Sequence, residues 1–148
     1  MSIKNRAYIA GAFEHPTRHA PDKSLVQLHA ECAIGALADA GLSKNDIDAF
    51  YYAGDASGIS AMSLVDYLNL KVRHVDGTET GGTSYLLHVS HAAQAIAAGK
   101  CNAALITLAG RPRSEGHSGA APRATEAQVP ESQWESPFSA TTVNLYAL

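Results

Sequence analysis

Four short apolar segments, each about as long as a strand, alternate with three longer segments that have helical periodicity. The predicted strands are Ala7–Phe13, Ala49–Ala53, Val72–Asp76 and Ala103–Ala109. Strands that alternate with helices of this length are joined by right-handed crossovers and form a mostly parallel sheet. The order β-α-β-α-β-α-β therefore predicts an α/β fold.

The predicted helices have recognisable ends. The first helix begins after Ser24, whose hydroxyl can accept a backbone N–H at the helix start in a capping box. It ends before Gly41, which suits the left-handed residue that follows many helices. The second helix covers Ile59–Leu70, and the third covers Tyr85–Ala98, which Gly99 ends. These signals predict the bounds of the three helices that we expect to pack on the sheet.

Length, charge and cysteine content exclude several classes of protein. The chain has 148 residues, which suits one domain, and its 11 basic against 14 acidic residues give no excess to hold nucleic acid or an anionic membrane. No apolar run is long enough to cross a bilayer and no export signal opens the sequence, so we expect a cytoplasmic protein. Cys32 and Cys101 are too few for a disulfide scaffold or a zinc site.

The chain changes character after its first 110 residues. Residues 1–110 carry the α/β pattern, whereas residues 111–136 are rich in Gly, Pro, Ala, Ser and charge, which predicts a long loop. Residues 137–148 are apolar again, and a helix that begins near Thr141 stops with the sequence. We therefore expect the natural protein to continue past this point.

The segment TETGGTSYLLH is the most specific candidate for a functional site. Gly81 and Gly82 lie between the third strand and the third helix, where glycine permits left-handed backbone and the close approach of another group. The unpaired N–H groups of a helix N-terminus suit an anion or an oxyanion. The alternative is a tight structural turn, which the spacing alone favours.

Two arginines follow the fourth strand directly. Arg111 and Arg113 lie at the carboxyl end of the predicted sheet, where ligands bind in open α/β folds. With Gly81 and Gly82 they are candidates for binding the phosphates of a substrate, and the alternative is a pair of solvated loop arginines. Neither a GxGxxG fingerprint nor a Walker lysine is present, so a nucleotide-binding domain has weak support.

The remaining candidate side chains have ordinary interpretations. Four histidines occur in close pairs without an HExxH motif, so hydrogen-bonded or exposed histidines are favoured over a metal site. They are His15, His19, His88 and His91. We expect Cys32 to be a small buried residue of the first helix and Cys101 to be partly exposed in a turn, and neither to be a nucleophile.

Four segments together resemble the N-terminal half of thiolase-superfamily enzymes: AYIAGAF, ALADAGLSKNDIDAF, GDASG and HAAQAIAAGKCNAALITLAG. They are most similar to the sterol-carrier-protein-type thiolases, which are often labelled acetyl-CoA acetyltransferases or lipid-transfer proteins. The resemblance covers nearly all 148 residues but less than half of a complete family member. It implies one incomplete half of a five-layer αβαβα sandwich, and a homodimer formed through the edge strand Val72–Val75.

The resemblance also implies where chemistry takes place. Thiolytic members carry a reactive cysteine at the N-terminus of the third helix, which takes the acyl group of a coenzyme A thioester. The matching position here is Gly82, and the hydroxyls of Thr83 and Ser84 beside it have no general base in this segment. The family's other catalytic groups lie in the second half. The resemblance therefore implies a coenzyme A thioester as substrate and no covalent cofactor, but it transfers no catalytic residue.

Three functions remain open. The family label favours an acyl-CoA acyltransferase of the acetyl-CoA acetyltransferase type, which forms or breaks a carbon–carbon bond. Gly82 instead favours relatives without the cysteine, which resemble steroid side-chain retro-aldolases and cleave a β-hydroxyacyl-CoA together with a zinc-ribbon and OB-fold partner. The third function is that of a non-catalytic scaffold subunit. We predict that this chain alone neither catalyses thiolysis nor forms a stable monomer, because a sheet edge and a sheet face lack cover.

Overall fold

The computed structural model describes residues 3–54 and 60–116, together with the single residues 134, 137, 143 and 147. The described elements follow in the order α1 (Leu25–Ala40), a 3₁₀ turn (Lys44–Asp46), β1 (Ala49–Gly54), α2 (Ser60–Leu68), β2 (His74–Asp76), α3 (Ser84–Ala97) and β3 (Ala104–Ala109). The strands form a parallel sheet in the order β2–β1–β3. None of the described helices combines the length and apolar character needed to cross a bilayer. The predicted α/β class with a parallel sheet is confirmed.

The ends of α1 follow from the residues that flank it. Ser24 Oγ accepts a hydrogen bond from the backbone N–H of Gln27 at 3.2 Å, which satisfies a donor at the helix start. Gly41 adopts a left-handed conformation with φ of 67°, and its N–H donates to the carbonyl of Ala38. The predicted start and end of this helix are confirmed.

Helices cover both faces of the sheet, because successive residues of a strand point to opposite faces. On one face, α1 and α2 pack on an apolar cluster that includes Phe50 and Leu105. On the other face, α3 packs on a cluster that includes Tyr51 and Cys101. Cys101 is 1% exposed, so the expectation of a partly exposed thiol was wrong: its side chain packs into this cluster from the segment between α3 and β3.

The predicted first strand, Ala7–Phe13, is absent from the sheet, so the predicted β-α-β-α-β-α-β order loses its first element. The backbone N–H of Ala12 donates at 2.9 Å to the carboxylate of Asp39 on α1 and not to a neighbouring strand. Tyr8 and Ile9 are 83% and 77% exposed. The apolar pattern of this segment predicted burial, whereas the described residues offer these two side chains no layer to pack on.

The predicted strand Val72–Asp76 shortens to β2, three residues long. The pairing with β1 begins only where His74 meets Ala49, and β2 forms one edge of the described sheet. Before that point the backbone N–H of Arg73 donates to the carbonyl of Asp48 at 2.9 Å. This edge of the described sheet is therefore short, and the first residue of β2 follows an ion-paired arginine.

Contacts within the chain divide it into two units, Met1–Gly110 and Arg111–Leu148. The named helices and strands all lie in the first unit. In the second unit, residues 112–116 form turns. Most of the loop predicted over residues 111–136, and the helix predicted to begin near Thr141, lie outside the described residues. The division into residues 1–110, 111–136 and 137–148 therefore stays a prediction.

Candidate functional site

The carboxylate of Glu79 organises the turn that precedes α3. Its Oε1 accepts hydrogen bonds from the Ser84 hydroxyl at 2.6 Å and from the Gly81 N–H at 2.8 Å. Its Oε2 accepts from the N–H of Gly54, the last residue of β1, at 2.8 Å. The bonds from Ser84 and Gly54 hold the pKa of Glu79 below its usual value. One ionised side chain thus joins the carboxyl end of β1 to the glycine turn and to the first residue of α3.

Ser84, a weak candidate for a catalytic residue in the sequence, holds this turn through hydrogen bonds of its hydroxyl. Its side chain is fully buried, and its hydroxyl accepts a hydrogen bond from the Thr80 N–H at 2.8 Å. Its single proton serves either Glu79 or the carbonyl of Gly81, each 2.6 Å away. A hydroxyl held in this way has no access to a substrate from the solvent side.

Gly81 and Gly82 have different requirements although they are neighbours. Gly81 has φ of 78°, a conformation that favours glycine, whereas the backbone of Gly82 is not left-handed. A Cβ added at either position would meet no atom of the described residues within 4 Å. Thr83 follows at the N-cap position of α3, is exposed, and makes no side-chain cap hydrogen bond. The described residues thus leave open space above the start of α3, where the helix dipole favours negative charge.

A second carboxylate, Asp76, holds the segment that leads into the turn. Its Oδ1 accepts from both the N–H and the hydroxyl of Thr78, at 2.9 and 2.7 Å. Its Oδ2 lies 2.6 Å from Nδ1 of His91 on α3. Burial works to raise the pKa of Asp76, but the bonds from Thr78 and His91 outweigh it and lower the pKa to about 2. Asp76 is therefore ionised at neutral pH and ties the end of β2 to α3.

His88 holds the same segment from the neighbouring turn of α3. It is fully buried, and its Nε2 lies 2.9 Å from the carbonyl oxygen of Thr78. His88 and His91 are thus both hydrogen-bonded, and the expectation that they bind no metal stays a prediction. Within residues 3–54 and 60–116 and the four single residues, no three side chains of His, Cys, Asp or Glu gather as a metal site.

The other predicted pair of histidines lies near α1. His15 Nε2 lies 2.7 Å from Glu31, whose carboxylate also accepts from Lys23 and Gln27. The bonds from Lys23 and His15 lower the pKa of Glu31 to about 2. His19 is exposed. This cluster holds the loop before α1 in place, and the role of His15 in it is structural.

Neither cysteine has the surroundings of a nucleophile. Cys32 is only half-buried, so the prediction that it is buried was wrong. Burial raises the pKa of the Cys32 thiol and that of the Cys101 thiol, which keeps both protonated near neutral pH.

The two predicted arginines belong to the unit that begins at residue 111. Arg111 is half-buried, and its Nε and Nη2 lie 3.2 and 3.0 Å from Oε1 of Glu115. Arg113 is exposed. Arg111 thus has a carboxylate partner four residues along the chain, and the role of both arginines in phosphate binding stays a prediction.

Sequence reasoning found the glycine turn but missed the two carboxylates that shape it. Glu79 lies two residues before Gly81, close enough for its side chain to accept the N–H of the turn. Asp76 likewise accepts from a backbone N–H two residues ahead. An acidic residue two positions before a turn residue was the available signal, and it is common in loops of every function.

No family model matches the sequence, and no curated protein matches it. Among solved structures, the chain is similar to an Ltp2-ChsH2(DUF35) aldolase, with 24% identity and a TM-score of 0.71 over 93% of this chain and 34% of that one. It is also similar to a variant of Xanthomonas campestris OleA, described with bound lauric acid and lauroyl-CoA, with 14% identity and a TM-score of 0.52 over 59% of this chain and 27% of that one. The chain thus spans about a third of the length of the aldolase chain. From these likenesses we conclude that the chain has a thiolase-like α/β fold.

Proposed function

We propose that this chain is part of a thiolase-like enzyme that acts on a coenzyme A thioester, and that its reaction is the retro-aldol cleavage of a β-hydroxyacyl-CoA. The observation that carries the proposal is the turn at Gly82. The sequence resemblance matches the reactive cysteine of thiolytic relatives to this position, which here holds glycine, and the described residues leave open space beside it. The similarity to an aldolase over 93% of the chain supports the same choice.

The chemistry of the turn favours cleavage without a covalent intermediate. The thiolytic reaction needs a thiolate, and the nearest buried hydroxyl, Ser84, is engaged by Glu79. A retro-aldol reaction needs a base that removes the proton of the β-hydroxyl and an oxyanion site for the enolate left when the carbon–carbon bond breaks. The start of α3 supplies a positive dipole end for that negative charge. The base would come from outside the described residues.

The complete enzyme requires further structure on the open side of α3. Leu86 is 59% exposed on this helix, and Tyr85, Leu87 and Val89 are exposed beside it. An apolar helix face of this kind favours burial against another layer. We place the second α/β half of the five-layer sandwich there, which would bring the remaining catalytic groups to the glycine turn.

Two further partners belong to this proposal. Strand β2 is an edge of the sheet that the described residues form, and a second copy pairing through Val72–Val75 would cover this edge and form a homodimer. The aldolase structure is named for Ltp2 together with ChsH2(DUF35), which supports a protein partner for this chain as well. The sequence resemblance implies that this partner is a zinc-ribbon and OB-fold protein. A cytoplasmic location completes the proposal and rests on the sequence alone.

The experiment that tests the proposal compares two substrates. The intact protein from its natural source, purified with whatever remains bound, is incubated with a β-hydroxyacyl-CoA and, separately, with a β-ketoacyl-CoA and free coenzyme A. We expect release of a carbonyl product and a shortened acyl-CoA from the first mixture alone. Cleavage of the β-ketoacyl-CoA that depends on free coenzyme A would contradict the proposal and support acyl transfer.

Acyl transfer of the acetyl-CoA acetyltransferase type is the second candidate. The OleA structure is described with a bound acyl-CoA, which supports chemistry on the same substrate class. Turnover of neither substrate by the intact protein would overturn both reactions and favour a scaffold subunit. The 148-residue chain by itself is the matched control, and we expect it to be inactive in both mixtures.

A further inference from the structure

Two buried polar atoms lie between β1 and α3 without a hydrogen-bond partner among the described residues. They are the hydroxyl oxygen of Tyr51 and Nδ1 of His88. Both side chains are fully buried, and their ring centroids are 5.8 Å apart with an interplanar angle of 45°. A buried polar group without a partner destabilises a folded protein, so two such groups in one cluster need an explanation.

The two atoms have complementary hydrogen-bonding capacity. Nε2 of His88 lies 2.9 Å from the carbonyl oxygen of Thr78, which can only accept, so this nitrogen carries the proton. In a neutral imidazole the other nitrogen, Nδ1, is then an acceptor. The hydroxyl of Tyr51 can donate a hydrogen bond, and burial raises its pKa to about 12, so it keeps its proton. A small molecule that both accepts and donates has the hydrogen-bonding capacity that complements the pair.

The surroundings of the pair are polar on one side and apolar on the other. Ala92 and Ala95 of α3 pack against Tyr51. The ring of His74 lies 5.6 Å from that of Tyr51, and the ring of His91 lies 6.3 Å from that of His88. A cavity of about 350 Å³, lined by His74, Asp76, His91, Gln94 and Lys100 among others, adjoins this cluster. Solvent therefore has a polar route to the edge of the cluster.

We propose that Tyr51 and His88 form a binding site for one water molecule, which accepts from the Tyr51 hydroxyl and donates to Nδ1 of His88. The site has a structural consequence for the candidate active site. A donor at Nδ1 fixes His88 in the tautomer that donates to Thr78, which holds the segment before the glycine turn against α3. The proposal is independent of the reaction that the protein catalyses.

The first test uses the sign of a stability change. Tyr51→Phe removes the hydroxyl alone, and Tyr52→Phe is the matched control on the other face of the same strand, because Tyr52 packs against the α1–α2 cluster. If the water bridges the pair, Tyr51→Phe loses a hydrogen bond and lowers the melting temperature by about 3 °C relative to the control. An unchanged or raised melting temperature overturns the proposal, because removing an unpaired buried hydroxyl does not destabilise.

The second test detects the ligand directly. Nitrogen chemical shifts of His88 should report a protonated Nε2 and an unprotonated, hydrogen-bonded Nδ1, and cross-relaxation should connect water to the protons of Tyr51 and His88. We expect the water signal at His88 to be lost in Tyr51→Phe and retained in Tyr52→Phe. A lowered melting temperature without any bound-water signal would also overturn the proposal, because the hydroxyl would then bond to the protein itself.

Discussion

Each end of the sheet has a carboxylate that accepts hydrogen bonds from the adjoining loops. The groups that surround this carboxylate differ between the two ends. At the amino end, Asp48 accepts hydrogen bonds from the backbone N–H groups of Asn102 and Ala103 at 2.8 and 2.9 Å, just before β3. It also accepts from the guanidinium of Arg73, just before β2, at 2.9 Å. At the carboxyl end, Glu79 accepts from backbone and hydroxyl groups and from no lysine or arginine among the described residues.

A hydrogen-bonded carboxylate therefore has a different structural role at each end of the sheet. Asp48 ties together the starts of the three described strands, since β1 begins at the next residue, so it fixes the frame of the sheet. Among the described residues, Glu79 ties the end of one strand, β1, to a turn that has open space beside Gly82. Ligands bind parallel sheets at the carboxyl ends of the strands. The loops at this end must therefore be held in place and still leave space for a ligand.

Replacement of Asp48 should have the largest effect on stability. Asp48→Asn keeps the size of the side chain but turns an amide NH₂ group toward donors that need an acceptor. We expect the free energy of unfolding to fall by about 3 kcal/mol, because several donors lose a charged partner at once. Chemical denaturation followed by circular dichroism measures this loss.

The control for this variant is Asp46→Asn. Asp46 lies two residues earlier, in an exposed 3₁₀ turn, and its carboxylate accepts from the N–H and hydroxyl of Ser43 within the described part of the chain. Its replacement should lower stability less than that of Asp48. Equal losses for the two variants would show that Asp48 does not hold the strands together.

The elements that sequence reasoning predicted depend on local patterns. The cap at Ser24, the end at Gly41 and the glycine turn before α3 were visible because each depends on residues a few positions apart. The role of Asp48 was not visible, because its partners are 25 to 55 residues away and are brought to it by the fold. The bond from Gly54 to Glu79 spans 25 residues and was hidden for the same reason, whereas the local bond from Gly81 resembles those of many ordinary loops. The strand predicted at Ala7–Phe13 was wrong for a related reason: an apolar run does not show whether a neighbouring strand is present to pair with it.

Acid should loosen the carboxyl end through Asp76. Its pKa in the folded chain is about 2, below the value of 3.8 expected without these contacts, so its stabilisation is complete above about pH 4 and is lost as pH falls through about 2. The difference corresponds to about 2 kcal/mol. We expect Asp76→Asn to be less stable at neutral pH and to show a correspondingly smaller decline in acid.

The measurement is the free energy of unfolding at several pH values for both chains. Parallel curves for the parent and for Asp76→Asn would contradict the assignment, since the pH dependence would then arise from other carboxylates such as Glu31.

Replacement of Glu79 should have a moderate and local effect. Glu79→Gln retains one acceptor oxygen and places an amide group among the donors of Gly54, Gly81 and Ser84. We expect a loss of about 1.5 kcal/mol, half of that for Asp48→Asn, because no cationic side chain loses its partner. Hydrogen exchange should speed up at the amides of Gly54 and Gly81 and remain slow in β3. Faster exchange throughout the sheet would mean that Glu79, like Asp48, holds the strands of the sheet together.

The smallest effects should separate two neighbouring glycines. Gly81→Ala forces a side chain into a left-handed conformation and should cost about 1 kcal/mol. Gly82→Ala adds a methyl group to open space at a residue whose φ is not positive, so stability should stay the same or rise by a few tenths of a kcal/mol. Thermal unfolding of the two variants side by side measures the difference. If Gly82→Ala lost as much stability as Gly81→Ala, the space at the start of α3 would have to be occupied. The carboxyl end of the sheet would then be as tightly packed as the amino end, where Asp48 lies.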